Sequence, residues 1–264
     1  MELTIKIIAT DGSVLSETRG GDEVFLVYRQ NYAGGESIII EASEPGFVWL
    51  TLDAALPPVM VFTPGGAYAF PVPANKRESY PPQAFNGNLH RISARYARPH
   101  EACSRRNLAF NPLDHHGNET LFPHASANVE TRGEAAFAAR NAIDGEKAND
   151  NHGFWPYTSW GINRDPDAAL TVNFGREVII DEIRLYLRAD FPHDAWWRKA
   201  TVSLSDGERL SLDLRKTGAA QAFPVSEKKV EWIRLHDLEK AEDPSPFPAL
   251  TQIEIWGRDQ RTAG

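Results

Sequence analysis

The sequence predicts an all-β protein made of two β-sandwich domains, and three observations lead to this prediction. Short segments rich in β-branched and aromatic residues recur along the whole chain. Turn signals such as DGS, EPG and PGG separate these segments. The length of 264 residues also exceeds the usual size of a single domain, about 100 to 200 residues. We therefore predict a β-sandwich over residues 1–100 and a second β domain over residues 101–264.

The N-terminal domain contains six predicted strands of similar length. Such closely spaced short strands with turns between them are typical of a sandwich or barrel. Residues 74–107 follow these strands, show little sustained alternation, and are predicted to form a linker and docking surface. The six strands are ELTIKIIA (2–9), EVFLVYR (23–29), ESIIIEAS (36–43), FVWLTLD (47–53), VMVFTP (59–64) and AYAFPVP (67–73).

The C-terminal domain contains one predicted helix, in GEAAFAARNAIDG (133–145), where Ala and Phe recur at helical spacing before a terminal glycine. Within KATVSLSDGERLSLDLRK (199–216), apolar residues alternate on both sides of Asp206-Gly207, which predicts a hairpin. The other predicted strands are AALTVNFG (168–175), VIIDEIRLYLR (178–188), KVEWIRLHDL (229–238) and LTQIEIWG (250–257).

Charge and cysteine content exclude several classes of function. The net charge of -8 argues against nucleic acid or an anionic membrane as the partner, and favours a neutral or cationic ligand. The single cysteine, Cys103, excludes an internal disulfide and a cysteine-based zinc cluster. No apolar run is long enough to span a membrane, and MELTIKIIATDG has no signal core, so we expect a cytoplasmic location unless a leader has been removed.

A set of short motifs in the second half occurs in a recognisable order. Over residues 104–258 the chain resembles a discoidin, or coagulation factor 5/8 type C, domain. That domain is a galactose-binding-like jelly roll, and the family 32 carbohydrate-binding modules share it. The motifs are NLAFNP (107–112), PHASANVET (123–131), ARNAIDG (139–145), TSWG (158–161), AALTVNFG (168–175), IDEIRLYLRAD (180–190), VSLSDGE (202–208) and ALTQIEIWG (249–257).

The resemblance implies a sugar site in the loops at one end of the jelly roll. A pyranose packs its C–H face on an aromatic ring, and its hydroxyls bind charged or amide side chains. In that end the resemblance places Arg188, which ends its strand, and the loop ADFPHDAWWRK (189–199) that follows. The predicted ligand-binding residues are Arg188, His193, Asp194, Trp197, Trp155 and Tyr157.

The adjacent Trp196 and Trp197 are predicted to face opposite sides, because side chains alternate along a strand. If Val202 and Leu204 face inward and the alternation is unbroken, Trp196 faces the core and Trp197 is the outward sugar platform. The alternative is that both tryptophans are packing residues.

The resemblance also implies a structural calcium ion near the AIDG turn. The candidate ligands are Asp144, Asn149 and Glu254, whose oxygen atoms suit this hard cation. Gln252 stands where an acidic ligand is expected, which departs from the pattern. The alternative is that Asp144 caps a turn through its side chain.

These observations predict a non-catalytic protein that binds a mono- or oligosaccharide through the loop end of the C-terminal jelly roll. One alternative is a sugar-metabolising enzyme whose site lies between the domains and uses His90, Arg95, Arg188 and His193. A third possibility is a protein-interaction module, in which exposed aromatic residues meet a partner chain.

Overall fold

Antiparallel strands form three sheets in the computed structural model, which describes residues 1–73, 78–148, 153–189 and 195–260. Two four-stranded sheets lie in the first hundred residues, and a larger sheet follows Arg106. The all-β prediction is confirmed. Within the described residues, no helix is long and apolar enough to cross a membrane.

The N-terminal unit is a sandwich of the two smaller sheets, and the inward side chains of both sheets form one buried cluster. The first sheet has the order β2-β1-β4-β7, with β1 Leu3–Ile8, β2 Val14–Gly20, β4 Ser37–Ala42 and β7 Gly66–Pro71. The second has the order β3-β8-β5-β6, with β3 Glu23–Tyr28, β5 Gly46–Thr51, β6 Val59–Thr63 and β8 His90–Tyr96.

The C-terminal unit is a single large sheet folded around a second core. Both halves of its longest strands contribute to one buried cluster, which is the arrangement of a closed sandwich. Its path is β11-β16-β12-β15-β13-β14, with β9 on β16 and β10 on β12. The bounds are β9 Arg106–Asn107, β10 His124–Ala127, β11 Trp160–Gly161, β12 Leu170–Leu187, β13 Trp197–Leu204, β14 Arg209–Asp213, β15 Gln221–Lys240 and β16 Ala249–Asp259.

The six predicted N-terminal strands are confirmed, as is the hairpin of β13 and β14, in which Val202 pairs with Leu210. Gly207 in its turn has φ 92°, the left-handed conformation that glycine adopts without strain. Among the described residues, the strands of the two smaller sheets end by Tyr96 and those of the large sheet begin at Arg106. The domain boundary at residue 100 stays a prediction.

The segment predicted as a linker contains a strand. β8 lies inside the second sheet between β3 and β5, and His90, Ile92 and Ala94 face the core. The prediction missed this strand because only one of its three inward residues, Ile92, is a strongly β-favouring apolar residue. A four-residue helix, α1 (Pro99–Ala102), then leads to the large sheet.

The predicted helix over 133–145 is wrong. Three short 3₁₀ turns occupy this stretch, Thr131–Gly133, Ala135–Phe137 and Ala139–Ala142. Ala138 between the last two turns is extended, with φ -71° and ψ 153°. Ala136 to Ala142 are all buried, so packing on every side replaces the one-sided burial that an amphipathic helix requires.

A bulge at the start of β13 reverses the predicted orientation of the tryptophan pair. Arg198 and Lys199 are both exposed, and the pairing with β15 shifts register on either side of Lys199. One extra residue in the strand inverts the parity of every position before it. Val202 and Leu204 face inward as predicted, but Trp197 is 1% exposed and Trp196 is only partly buried. The assignment of Trp196 to the core and Trp197 to an outward platform is therefore wrong.

The two units pack closely along residues 110–124, which we call the seam segment. Leu113 and Leu121 belong to the core of the N-terminal sandwich. Phe122 exchanges two backbone hydrogen bonds with Phe62 of β6, each 2.8 Å long. The Tyr68 hydroxyl donates to the carbonyl of Leu113. These contacts join the units into one packed body.

Candidate ligand-binding site

A pocket of about 430 Å³ lies where the loops before β11 and β16 meet the end of β12. We call it the loop-end pocket. Its lining comes from four separate stretches of the C-terminal unit, so the sheet brings together residues that are distant in sequence. The lining residues are Thr131, Arg132, Phe137, Tyr157, Ser159, Gly161, Ile162, Asn163, Arg164, Arg188, Ser245, Phe247, Pro248 and Ala249.

Arg188 and Tyr157, both predicted from the sequence, line this pocket together. The Arg188 guanidinium lies over the Tyr157 ring, 3.5 Å from its centroid. Its Nη2 donates to the Thr158 carbonyl at 2.6 Å, and Nε donates to Thr251 Oγ1 at 3.4 Å. Arg188 is 1% exposed, so these contacts fix a buried cation at the base of the pocket.

The opposite wall combines apolar surface with a strained turn. Asn163 has φ 48° and Arg164 has φ 63°, a left-handed pair without glycine. Such residues cost of order 1 kcal/mol each or more, and they concentrate at functional sites. Arg164 is exposed, and its guanidinium lies 4.4 Å from the centroid of the Phe247 ring. This wall therefore presents a cation and an amide beside an aromatic ring.

Gly161 explains part of the TSWG motif. A Cβ at this position would lie 2.5 Å from Thr131 Oγ1, so only glycine lets the 3₁₀ turn approach β11 this closely. Thr131 Oγ1 also accepts the Asn163 backbone N–H at 3.0 Å. This close approach fixes the position of the Thr131 side of the pocket relative to the Asn163 side.

Sequence analysis missed Arg132, Asn163, Arg164 and Phe247. One signal was available for Phe247, an aromatic residue between two prolines directly before β16. The arginines carry no local signal, because surface loops commonly contain them.

Two other predicted ligand residues, Trp155 and Trp197, do not line the pocket. Trp155 lies at the seam between the two units, where its backbone N–H donates to the Glu78 carbonyl at 2.8 Å. Trp197 packs in the C-terminal core, with its ring centroid 6.4 Å from that of Trp160. His193 and Asp194 lie outside the described residues.

The three described residues of the predicted interdomain enzyme site, His90, Arg95 and Arg188, do not come together. His90 is buried in the N-terminal core, with its ring 4.4 Å from that of Tyr32. Arg95 pairs with Glu101 at 2.6 Å. Arg188, in contrast, contacts Tyr157 and Thr158 at the far unit's loop end. His193 is not described, and the three described members occupy three different environments.

The described groups around the AIDG turn do not fit a calcium ion. The Lys147 ammonium pairs with Glu254 Oε1, and Trp256 Nε1 donates to Glu254 Oε2 at 2.8 Å. Burial opposes ionisation of Glu254, but these hydrogen bonds outweigh it and lower the pKa of the carboxyl. Lys147 thus supplies the positive charge beside Glu254 that a calcium ion would supply.

The Asp144 side of the turn has its own protein partners. Gln252 Nε2 donates to Asp144 Oδ1 at 2.7 Å, and the Glu146 N–H donates to the same oxygen at 2.8 Å. The second contact is the turn cap that we considered as the alternative. Burial raises the pKa of Asp144 to about 6, against the opposing charge of Arg140. Asn149 lies outside the described residues.

We expect chelation to leave the thermal unfolding midpoint unchanged, because Lys147 already neutralises Glu254. An ion that binds only the folded chain would stabilise it by mass action and make the midpoint depend on calcium. Scanning calorimetry with EDTA and with added calcium measures this. Lys147→Met should lower the midpoint, and Lys228→Met, which breaks the more exposed pair with Glu208, is the control. A reversible fall of the wild-type midpoint in EDTA would restore calcium to the site.

Part of the chain matches solved structures of carbohydrate-binding proteins. No protein-family model matches, and no curated protein matches. A chitosan-binding module 1 derived from a chitosanase/glucanase of Paenibacillus sp. IK-5 is 19% identical, with a TM-score of 0.40, over 58% of this chain and 99% of that one. The lectin domain of lectinolysin, in complex with Lewis B antigen, is 18% identical, with a TM-score of 0.42, over 59% and 98%.

A third solved structure is the family 32 carbohydrate-binding module of NanJ from C. perfringens, in complex with galactose. It is 18% identical, with a TM-score of 0.39, over 50% of this chain and 91% of that one. At these identities and TM-scores we transfer none of the three ligands to this chain.

Proposed function

We propose that this protein binds a saccharide through the loop-end pocket and does not cleave it. The observation that carries the proposal is the buried Arg188 guanidinium stacked on Tyr157, at the base of a pocket with one largely apolar wall. A fixed cation beside apolar surface suits a ligand that has both hydroxyls and a C–H face, and sugars have both. The volume of about 430 Å³ lies within the range of small-molecule sites.

The pocket is organised before any ligand arrives. Arg188 is held by Thr158 and Thr251, so little side-chain entropy remains to be lost when a hydroxyl binds near it. Arg164 is already seated against Phe247, which leaves its outer N–H groups towards solvent. These contacts support recognition by a rigid site.

The chemistry offered by the described lining suits binding. Guanidinium, amide and hydroxyl groups, from arginines, Asn163 and Ser159, hydrogen-bond to sugar hydroxyls. Glycoside hydrolysis uses a pair of carboxyl groups that flank the scissile bond, and the described lining is built from other groups. We therefore propose a binding role for this pocket.

Isothermal titration with a panel of galactose, N-acetylgalactosamine, fucose, glucose and mannose tests the proposal. We expect at least one sugar to bind, and we expect Phe247→Ala and Arg164→Gln each to weaken it about tenfold, since each removes one stacking or charge-assisted contact. Matched controls are Phe154→Ala, an exposed phenylalanine outside the pocket, and Arg209→Gln, an exposed arginine paired with Asp237.

The outcomes separate the possibilities clearly. Binding that is weakened in both pocket variants and unchanged in both controls supports the proposal. If no sugar on the panel or on a glycan array binds, the carbohydrate function is wrong. If a sugar binds the two pocket variants as tightly as the wild type, the protein binds sugar at another site and the assignment to the loop-end pocket is wrong.

A further inference from the structure

A second cleft, of about 330 Å³, lies between the two units, and we call it the seam cleft. Neither unit forms it alone, because its walls come from the β5–β6 loop, residues 79–81 and the C-terminal unit. The lining residues are Ala55, Leu56, Pro57, Ser79, Tyr80, Pro81, Phe110, Pro112, Arg140, Asp144, Gly145, Glu146 and Trp155.

Most of the cleft wall is apolar and rigid. Trp155 lies half-buried at the cleft and is anchored through its backbone to Glu78 of the other unit. Three prolines and Phe110 line the same space. Gly145 has φ 87°, and a Cβ there would lie 2.5 Å from the Phe110 ring, so the AIDG turn is pressed against this wall. The wall is suited to the apolar face of a small ring.

The polar end of the cleft contains a carboxylate oxygen that receives no hydrogen bond from the described residues. Asp144 is 8% exposed, and both hydrogen bonds that it receives end on Oδ1. No described residue donates a hydrogen bond to Oδ2, and the Arg140 Nη1 atom is 3.9 Å away. Asp144 lines the cleft, so this oxygen can accept a hydrogen bond from a ligand.

Arg140 does not fill this role because protein oxygens already engage it. Its Nε donates to the Asp114 carbonyl and its Nη2 to the Pro112 carbonyl, each at 2.9 Å. Its Nη1 donates to Asn141 Oδ1 at 2.9 Å. The guanidinium is therefore a fixed positive charge beside Asp144.

The charges at this end define the ligand's chemistry. An anionic ligand would be repelled by Asp144 and Glu146, and the fixed Arg140 charge offsets one of these two carboxylates, which weakens the attraction for a cation. A neutral hydroxyl donates a hydrogen bond to Oδ2 and brings no unfavourable charge to this end. With an apolar wall opposite, the fitting ligand is a neutral ring that carries hydroxyls on its edge and C–H groups on its face.

We infer that the seam cleft is a second saccharide site, which takes one neutral sugar ring with its C–H face towards Trp155 and a hydroxyl donating to Asp144 Oδ2. The seam cleft and the loop-end pocket share no described lining residue. Binding there spans both units, so a bound sugar also stabilises their contact by mass action.

The test is ¹⁹F NMR of the full chain labelled with 5-fluorotryptophan, with each resonance assigned by a Trp→Phe substitution. Galactose, N-acetylgalactosamine, fucose, glucose, mannose and N-acetylglucosamine are titrated into the Phe247→Ala background, in which binding at the loop-end pocket is expected to be weakened. We expect the Trp155 resonance to shift saturably with at least one sugar, and the Trp232 and Trp256 resonances, outside the cleft lining, to stay in place.

Two variants connect the shift to the cleft. Asp144→Asn keeps the side-chain shape and an acceptor for Gln252 but removes the charge, and we expect about tenfold weaker binding. Ala55→Leu leaves Asp144 intact and narrows the cleft from the N-terminal unit, so it should also weaken binding. The dispersion of the remaining tryptophan resonances checks that each variant is folded.

A Trp155 resonance that no sugar moves overturns the inference, even when titration calorimetry shows binding at the loop-end pocket. A Trp155 shift that persists unchanged in folded Asp144→Asn and Ala55→Leu also overturns it. A saturable shift that both variants weaken supports it, including the case in which Phe247→Ala has no effect on any binding. In that case the loop-end proposal fails and the seam site stands.

Discussion

Trp197→Ala is expected to destabilise the protein by about 3 to 5 kcal/mol, the cost of removing a large buried aromatic side chain. Trp197 is 1% exposed and packs against Trp160 in the C-terminal core. Trp196→Ala is expected to cost about 1 kcal/mol, because its ring is only partly buried at the edge of that core. Urea unfolding followed by circular dichroism measures both values.

A milder substitution separates loss of volume from loss of polarity at Trp197. The buried Nε1 atom of Trp197 has no hydrogen-bond partner among the described residues. Trp197→Phe removes this unsatisfied donor and keeps most of the ring, so it should cost clearly less than Trp197→Ala. If Trp196→Ala proves more destabilising than Trp197→Ala, the bulge at Lys199 is misplaced and the unbroken alternation holds.

The two tryptophans show where alternation in the sequence predicts side-chain burial correctly and where it does not. Six strands of the N-terminal sandwich were predictable because their inward positions are large and apolar, as in β3, where Val24, Leu26 and Tyr28 are buried. Parity along β13 was correct from Ala200 onwards and wrong before it. The bulge results from the pairing with β15, and the residue types at positions 198 and 199 do not predict it.

The site shows the same limit in a different form. The resemblance placed Arg188 at the loop end, the Pro-, Gly- and Asn-rich loop around Tyr157 predicted that residue, and both line the pocket. Arg164 and Phe247 also line the pocket, although they lie 83 residues apart in the sequence. The fold of the sheet brings their loops together. The seam cleft could not be predicted from the sequence either. It is formed by the packing of one unit on the other, and local sequence patterns do not indicate how two units pack.

Around the AIDG turn, the sequence showed that Gln252 replaces an expected acidic residue, but it did not show that Lys147 pairs with Glu254. Gln252 in place of an acidic residue raised doubt about calcium, and the structure shows its amide bridging the Asn141 carbonyl and Asp144. Lys147 lies three residues after Asp144 in a turn, where a lysine gives no sign that it pairs with a strand 107 residues further along. The ion pair depends on tertiary contact alone.

Arg140→Met is expected to be the other strongly destabilising change, with a loss of about 3 to 5 kcal/mol, the range found when one partner of a buried charged network is removed. The guanidinium is buried, lies over the Tyr80 ring at 4.6 Å, and donates to carbonyls of Pro112 and Asp114 in the seam segment. Its loss leaves these buried acceptors without donors and Asp144 without a neighbouring cation.

The position of Arg140 makes this loss specific to the contact between the units. Nη1 also reaches the Ser79 carbonyl of the N-terminal unit at 3.4 Å, so one side chain ties both units to the seam segment. Arg140→Lys keeps the charge but lacks the planar fork that serves several carbonyls, and it should lose more than half as much stability as Arg140→Met. The exposed control is Arg105→Met, whose pairs with Asp181 and Glu182 are worth about 1 kcal/mol or less.

Chemical unfolding monitored by tryptophan fluorescence and by limited proteolysis gives the two readouts that this prediction needs. We expect Arg140→Met to lower the unfolding midpoint and to expose residues 110–124 to protease before the rest of the chain, because the seam opens first. Arg105→Met should match the wild type in both readouts. If Arg140→Met unfolds at the wild-type midpoint with an unchanged cleavage pattern, the buried guanidinium does not hold the two units together, and the seam cleft has no rigid frame.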